Sequence, residues 1–179
     1  NALSATQLAA LSAANFSAID STGIAGLTTT QIKGVTTTQL AGINATDIAE
    51  FADTQIAALA TTQIVALSAT NFSALDSTQI GALNTTQLQA ISVTQLKGLS
   101  TTDVAEFADT QIAVLTSTQI GALNATNFST LDSTAIAALS ATQIKGVTTT
   151  QLAGITSTAL SAFTSTEIGQ LSTTQLGAI

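Results

Sequence analysis

The chain repeats a phrase of eight residues from end to end. We number the slots of this octad so that residues 1 to 8 occupy slots 1 to 8 and the count then restarts. Slot 3 holds Leu, Ile, Val or Phe at all 23 occurrences, and slot 8 does so at all 22. Slot 6 is Thr in 21 of 22 octads, and slot 7 is Gln, Asn, Asp or Glu in 19 of 22. No insertion interrupts the count across 179 residues, so this repetition constrains the fold more than any other feature.

Neither a continuous helix nor a plain strand has a period of eight. Eight residues at about 100° each advance a helix by about 800°, so its apolar stripe drifts by about 80° per octad. In a strand, apolar residues spaced five and three apart alternate between the two faces. A β-solenoid with bends accommodates that spacing and is the alternative fold.

A short helix that restarts in every octad fits each slot. Slot 4 is Ser, Thr, Asp or Asn in 19 of 22 octads, three residues before slot 7, which is the spacing of a capping box. Slots 3 and 8 are the two positions of a hydrophobic staple. The exceptions in slot 4 are Ala52, Ala60 and Ala108; Asp53 and Asp109 are expected to cap two of these helices one residue late. Gly in slots 1 and 2 suits a helix end. The sequence therefore predicts an all-α solenoid of short helices.

Helices this short need neighbours, because isolated helices below about 12 residues are marginal in water. Slots 3 and 8 are predicted to form a thin core, and the Thr of slot 6 is predicted to lie buried where helices approach, its hydroxyl bonding a neighbour's open carbonyl. Slots 5 and 1 are predicted to face solvent. All three lysines fall in slot 1: Lys33, Lys97 and Lys145. The six phenylalanines occupy core slots and are interpreted as packing residues: Phe16, Phe51, Phe72, Phe107, Phe128 and Phe163.

A longer period lies above the octad. The phrases "NFSAIDSTGI", "NFSALDSTQI" and "NFSTLDSTAI" begin at Asn15, Asn71 and Asn127, and successive copies are seven octads apart. We interpret residues 1–179 as a single array of about 22 octads, organised as about three copies of a seven-octad unit that tandem duplication explains. Because the array has no polar caps, which solenoids need for solubility, we expect further repeats or end-to-end stacking of copies.

The amino-acid composition argues against several classes of function. Only 7% of residues are charged, against about 25% in an average domain, and the net charge is −7. This argues against nucleic acid, whose phosphates require clustered Lys and Arg. No apolar run approaches the length of a membrane span. With no His, Cys or Tyr, few groups are left for acid–base or nucleophilic catalysis. We expect no enzyme, no cofactor and no small-molecule substrate.

Two acidic clusters are the best candidates for a site. "TDIAEFADTQ" and "TDVAEFADTQ" space three carboxylates three residues apart, and carboxylate oxygens are ligands that Ca²⁺ prefers. The six residues are Asp47, Glu50, Asp53, Asp103, Glu106 and Asp109. Helix capping and the helix dipole explain them more simply, and the matching third copy has Ala159, Ala162 and Ser165. The metal site is therefore the weaker interpretation. Asp20, Asp76 and Asp132 are predicted N-caps.

The repeated Thr suggests one further ligand. Regular Thr rows on flat repetitive surfaces are a feature of ice binding. The predicted burial of slot 6 argues against that function here.

The phrase L-[ST]-x-T-Q-[IL]-x-[AG], seen in "TTTQIKGV" and "ADTQIAAL", resembles octapeptide arrays in very large secreted, adhesin-like proteins of proteobacteria. The resemblance covers the whole chain and implies an extracellular or cell-surface location. We expect a structural spacer or filament-forming segment that acts through extension or self-association, end to end or lateral. The alternative is a binding module for calcium-dependent adhesion, for a protein ligand or for ice.

Overall fold

A computed structural model describes residues 3–179 as a succession of short α-helices, with no strand in that range. The helices are α1 Ala5–Ala9, α2 Ala13–Ser17, α3 Ser21–Ala25, α4 Thr29–Gly34, α5 Thr37–Gly42, α6 Ala45–Ala49, α7 Asp53–Ala58, α8 Thr61–Ala66, α9 Ala69–Ser73, α10 Ser77–Gly81, α11 Thr85–Ala90, α12 Val93–Lys97, α13 Thr101–Ala105, α14 Asp109–Ile112, α15 Ser117–Ala122, α16 Ala125–Phe128, α17 Ser133–Ala137, α18 Ala141–Gly146, α19 Thr149–Ala153, α20 Ser157–Ser161, α21 Ser165–Ile168 and α22 Thr173–Leu176.

Every helix begins in slot 5, with an extended N-cap residue in slot 4. Ser4 is typical: its hydroxyl accepts from the Gln7 amide N–H, and its own N–H donates to Gln7 Oε1 at 2.9 Å. The predicted capping box is thus confirmed. Ala60 has no side-chain cap, yet its helix begins in the same slot, and its N–H still donates to Gln63 Oε1 at 2.7 Å.

The prediction that Asp53 and Asp109 cap one residue late is wrong. Both are the first residue of their helix, and Ala52 and Ala108 remain the N-cap residues. The slot-7 glutamine explains the fixed start, because its side chain holds the N-cap N–H whichever residue occupies slot 4. Asp53 instead accepts from the N–H of Thr54 at 2.7 Å.

Within each of the two compact parts of the chain, most helices pack on the helix three octads away. Thus α1 contacts α4, α2 contacts α5 and α4 contacts α7, and further along the chain α12 contacts α15 and α15 contacts α18. Three octads, each with one helix, therefore complete one turn. The predicted α-solenoid is confirmed. Residues 3–179 contain no strand, so the β-solenoid alternative is wrong for them.

The chain divides into two compact units, residues 1–91 and 92–179. Within each unit, the apolar side chains of slots 3 and 8 form the core. Phe16 and Phe72 are almost wholly enclosed in the first unit. In the second, the rings of Phe128 and Phe163 lie 6.5 Å apart between centroids. All six phenylalanines are buried, which confirms that they are packing residues.

Slot 6 is the main correction to the sequence analysis. All 21 of its Thr residues are exposed, so the predicted burial is wrong. Slot 6 lies two residues, or about 200°, from slot 8 on the helix, and therefore almost opposite the core. The predicted bond to a neighbouring carbonyl does exist, but slot 7 makes it. Slot 1 is exposed in 16 of 22 octads, including Lys33, Lys97 and Lys145, whereas slot 5, also predicted to face solvent, is half-buried in 9 of 22.

Glycine stands at helix ends, as predicted, and some glycines also serve close packing. No glycine among the described residues has a positive φ. A Cβ built on Gly34 would lie 2.8 Å from Ala5 Cβ, and one on Gly146 would lie 2.5 Å from the Ser117 carbonyl oxygen. In both cases slot 2 meets slot 5 of the helix three octads earlier. Small residues in slot 2 therefore let successive turns approach.

Candidate functional site

The side chains of slot 7 join successive turns. Gln39 Oε1 accepts from the N–H of Thr36 at 2.8 Å, which closes the capping box of its own helix. Gln39 Nε2 donates to the carbonyl oxygens of Leu8 at 2.8 Å and Leu11 at 2.9 Å, in the turn below. One amide group thus holds the start of one helix against the end of another.

The same offsets recur through both units. Gln63 reaches the carbonyls of Ile32 and Val35, and Gln151 reaches those of Ile120 and Leu123, always 31 and 28 residues back. The shorter Asn71 reaches only the carbonyl 28 residues back. We call this set the glutamine ladder: Gln31, Gln39, Gln55, Gln63, Asn71, Gln79 and Gln87 in the first unit, and Asn127, Gln143, Gln151 and Gln175 in the second.

Because the amides of the glutamine ladder are buried, their hydrogen bonds must be satisfied within the protein. Gln39 is only 1% exposed, and a buried amide is costly unless its acceptor and its donors are bonded. The sequence analysis assigned slot 7 to capping alone and missed its contact with the next turn. A signal was present, because a capping box accepts Glu as readily as Gln, whereas slot 7 has 13 Gln and one Glu. Only the amide can donate to a carbonyl.

The first acidic cluster is dispersed over the caps of two helices. Asp47 occupies slot 7, where it accepts from the N–H of Asn44 at 3.2 Å and from the hydroxyl of Ser17. Because a carboxylate cannot donate to carbonyls, a hydroxyl from the turn below donates to it instead. Glu50 is the C-cap residue of α6, and Asp53 begins α7.

The second acidic cluster has the same placement. Asp103 accepts from the N–H of Ser100 at 2.7 Å, Glu106 is the C-cap residue of α13, and Asp109 begins α14. Across residues 3–179, no three acidic side chains come together in a way that would hold a metal ion. The predicted N-caps Asp20, Asp76 and Asp132 are confirmed, since each carboxylate accepts from the start of its helix.

The comparison with protein families finds a repeat. A family model described as the ALTTAQ repeat matches residues 48–85 and 56–93. The matched stretch includes "ALATTQI", residues 58–64. The chain is a repeat-array protein, and its structure is a helical repeat solenoid. No curated protein and no solved structure matches it. No helix in the described part of the chain is long and apolar enough to cross a membrane.

Proposed function

We propose that this chain is a structural repeat segment of a secreted or cell-surface protein, acting through extension and self-association. The glutamine ladder is the observation that supports the proposal. The polar side chain that recurs between turns is engaged in joining them, and each added octad continues the ladder at the same offsets. The family match to a repeat supports the structural part, and the resemblance to adhesin-like arrays supports the location.

Exposed slot-7 amides support self-association. In the first turn, Gln7 and Asn15 are exposed, whereas the amides of the later ladder are buried. Gln7 keeps its cap bond to Ser4. The carbonyls of Phe163 and Leu171 occupy slot 3, whose carbonyls accept from slot-7 amides at Leu11 and Val35. A second copy that docks in register presents donors to these acceptors.

Isosteric variants test end-to-end docking. The double variant Gln7→Glu and Asn15→Asp keeps an acceptor at each cap but removes the amide donors, and it sets carboxylates against carbonyls. We expect the native chain to form rods of even width by electron microscopy and to show concentration-dependent mass by sedimentation. The variant should sediment as a monomer.

The control places the same charge away from the ends, as Thr86→Glu and Thr94→Glu, because both threonines are exposed. This control should assemble as the native chain does. Equal assembly of the end variant and the native chain, or a native chain that stays monomeric at all concentrations, would contradict end-to-end docking. The proposed location is tested separately, by protease accessibility of the chain on intact source cells.

Ice binding is the second candidate, because the exposure of slot 6 removes the objection raised from the sequence. Thr38, Thr62 and Thr86 are exposed and successively three octads apart, so they lie on one face in successive turns. The test is thermal hysteresis of the native chain, compared with a variant in which these three are Lys. Absence of hysteresis in the native chain rejects this candidate.

A further inference from the structure

Two octads of the second unit have no polar side chain in slot 7, the slot of the glutamine ladder. Slot 7 holds Ala135 in α17 and Ala159 in α20, each 3% exposed. The two alanines are three octads apart, and α17 packs on α20. They therefore occupy the same face in adjacent turns. At both positions the side chain is too short to bridge to the next turn.

The missing amides leave two main-chain acceptors without their usual donor. Asn127 donates to the carbonyl of Leu99, 28 residues back, at 2.7 Å. At the same offset, Ala135 corresponds to the carbonyl of Phe107 and Ala159 to that of Leu131. No described hydrogen bond reaches either oxygen. Elsewhere in this unit the equivalent carbonyls of Leu115 and Leu123 accept from ladder glutamines at 2.8 Å.

Cavities lie at both positions. A cavity of about 140 Å³ is lined by Val104, Phe107, Ile112 and Ala135, among others. A larger one of about 500 Å³ is lined by Leu131 and Ala159, among others. The two share Thr130, Leu131 and Asp132 as lining residues, so they adjoin. We call the pair the slot-7 gaps.

The slot-7 gaps offer hydrogen-bond acceptors. The hydroxyls of Thr130 and Ser161 already donate, each at 2.7 Å, to the carbonyls of Asn127 and Thr158. The carboxylates of Asp109 and Asp132 line the smaller cavity, and no Lys or Arg is among the lining residues of either. Beside these acceptors, Val104 and Ile112 provide an apolar wall.

We propose that the slot-7 gaps bind primary alkylammonium groups, such as the ends of aliphatic amines or a lysine side chain. The alkyl part replaces the methylenes of the absent glutamine, and in the smaller gap it packs on Val104 and Ile112. The ammonium replaces the amide nitrogen and donates to the carbonyl of Phe107 in one gap and of Leu131 in the other. A negatively charged chain raises the local concentration of cations. This proposal is independent of the structural role.

The test titrates the full chain with n-propylammonium and measures binding by calorimetry and by amide chemical shifts. Ala135→Gln and Ala159→Gln restore the ladder and fill the gaps, so we expect these variants to fold with unchanged or higher melting temperature. The double variant should lose at least tenfold in affinity. Ala137→Gln is the matched control, because Ala137 is exposed in the same helix; it should bind as the native chain does.

Probe chemistry separates the proposed contact from simple charge attraction. Tetramethylammonium has the charge but no N–H donor, and it should bind at least tenfold more weakly than n-propylammonium. Three results would overturn the proposal: equal binding of the two cations, unchanged affinity in the double variant, or binding of Ca²⁺ with no binding of n-propylammonium at millimolar concentrations.

Discussion

At the scale of the residue, Gln151 shows how much one ladder side chain contributes. It bonds the N–H of Thr148 at 2.7 Å and the carbonyls of Ile120 at 2.7 Å and Leu123 at 2.8 Å, and it is 1% exposed. Gln151→Ala should lower the free energy of unfolding by about 2–4 kcal/mol, because it removes these bonds and leaves buried groups unpaired. Urea unfolding measures this loss.

Gln7→Ala is the matched control for that change. Gln7 is exposed and bonds only within its own capping box. Its replacement should cost about 0.5–1 kcal/mol, as for the loss of an ordinary hydrogen bond. Equal losses in the two variants would mean that the bonds between turns add no stability.

Glu167 is the one glutamate in slot 7, and its replacement by glutamine should stabilise the fold. It is buried, and one carboxylate oxygen accepts from the N–H of Thr164 at 2.6 Å. At the ladder offsets its partners are the carbonyls of Ile136 and Leu139, to which a carboxylate cannot donate. Glu167→Gln should raise the free energy of unfolding at pH 7 by about 1–2 kcal/mol. A lower midpoint in urea would contradict the ladder geometry there.

The sequence predicted the residues that act within one octad better than those that act between octads. The caps and the core slots follow from positions three to five residues apart, so Ser4 with Gln7 and Leu3 with Leu8 are visible in one phrase. The roles of Thr6 and Gln39 depend on which turn lies below, and nothing in a single octad encodes that. On a helical wheel slot 6 lies almost opposite the core, so the predicted burial of its Thr between helices was wrong.

At the scale of the element, glycine position decides the effect of adding one methyl group. Gly146→Ala would bring a Cβ to 2.5 Å from the Ser117 carbonyl oxygen, so α18 and α15 must separate. We expect a loss of about 1–3 kcal/mol, as for other overpacked sites. Gly81 also ends a helix, but a Cβ there meets nothing within 4 Å. Gly81→Ala should stabilise by about 0.5–1 kcal/mol. Thermal unfolding of the two variants should therefore shift in opposite directions.

Helix α8 lacks a side-chain N-cap, and supplying one is a second test at the scale of the element. Ala60 is an exposed N-cap residue without a side-chain acceptor, and α8 begins in the usual slot. Ala60→Ser supplies that acceptor to the N–H of Gln63 and should stabilise by about 0.5–2 kcal/mol. Ser68→Ala, which removes a cap of the same type from α9, should cost a similar amount. Opposite shifts in the urea midpoint are expected.

The helix limits could be predicted from the sequence, but the number of helices in a turn could not. Each start is set by Ser, Thr, Asn or Asp in slot 4 and by the amide in slot 7. The turn of three octads is set by how far a glutamine reaches and how closely Gly34 approaches Ala5. The slot-7 gaps were equally hidden, because Ala135 is an ordinary alanine until the carbonyl of Phe107 is placed beside it.

At the scale of the whole molecule, the repeat architecture predicts that damage stays local. In a solenoid each repeat contacts only its neighbours, so stability is close to a sum of nearest-neighbour terms. Gln151→Ala should reduce hydrogen-exchange protection in α15 and α19, while α14 and α17, which pack on each other on another face, keep theirs. Hydrogen exchange read by mass spectrometry resolves these segments. A uniform loss of protection along the chain would contradict this prediction.

The ladder offsets also bear on how the gene can change length. Each glutamine meets carbonyls in fixed slots of the turn below, so the gain or loss of one whole octad leaves every later glutamine opposite a carbonyl. A frame-preserving change of any other size, even one codon, puts slot 7 out of register in each following octad whose carbonyl partners lie before the change. Unequal recombination between copies that differ by whole octads is therefore tolerated by the fold. Populations of the source organism should then carry alleles whose lengths differ in steps of one octad's coding length, within a reading frame that tolerates almost no other insertion.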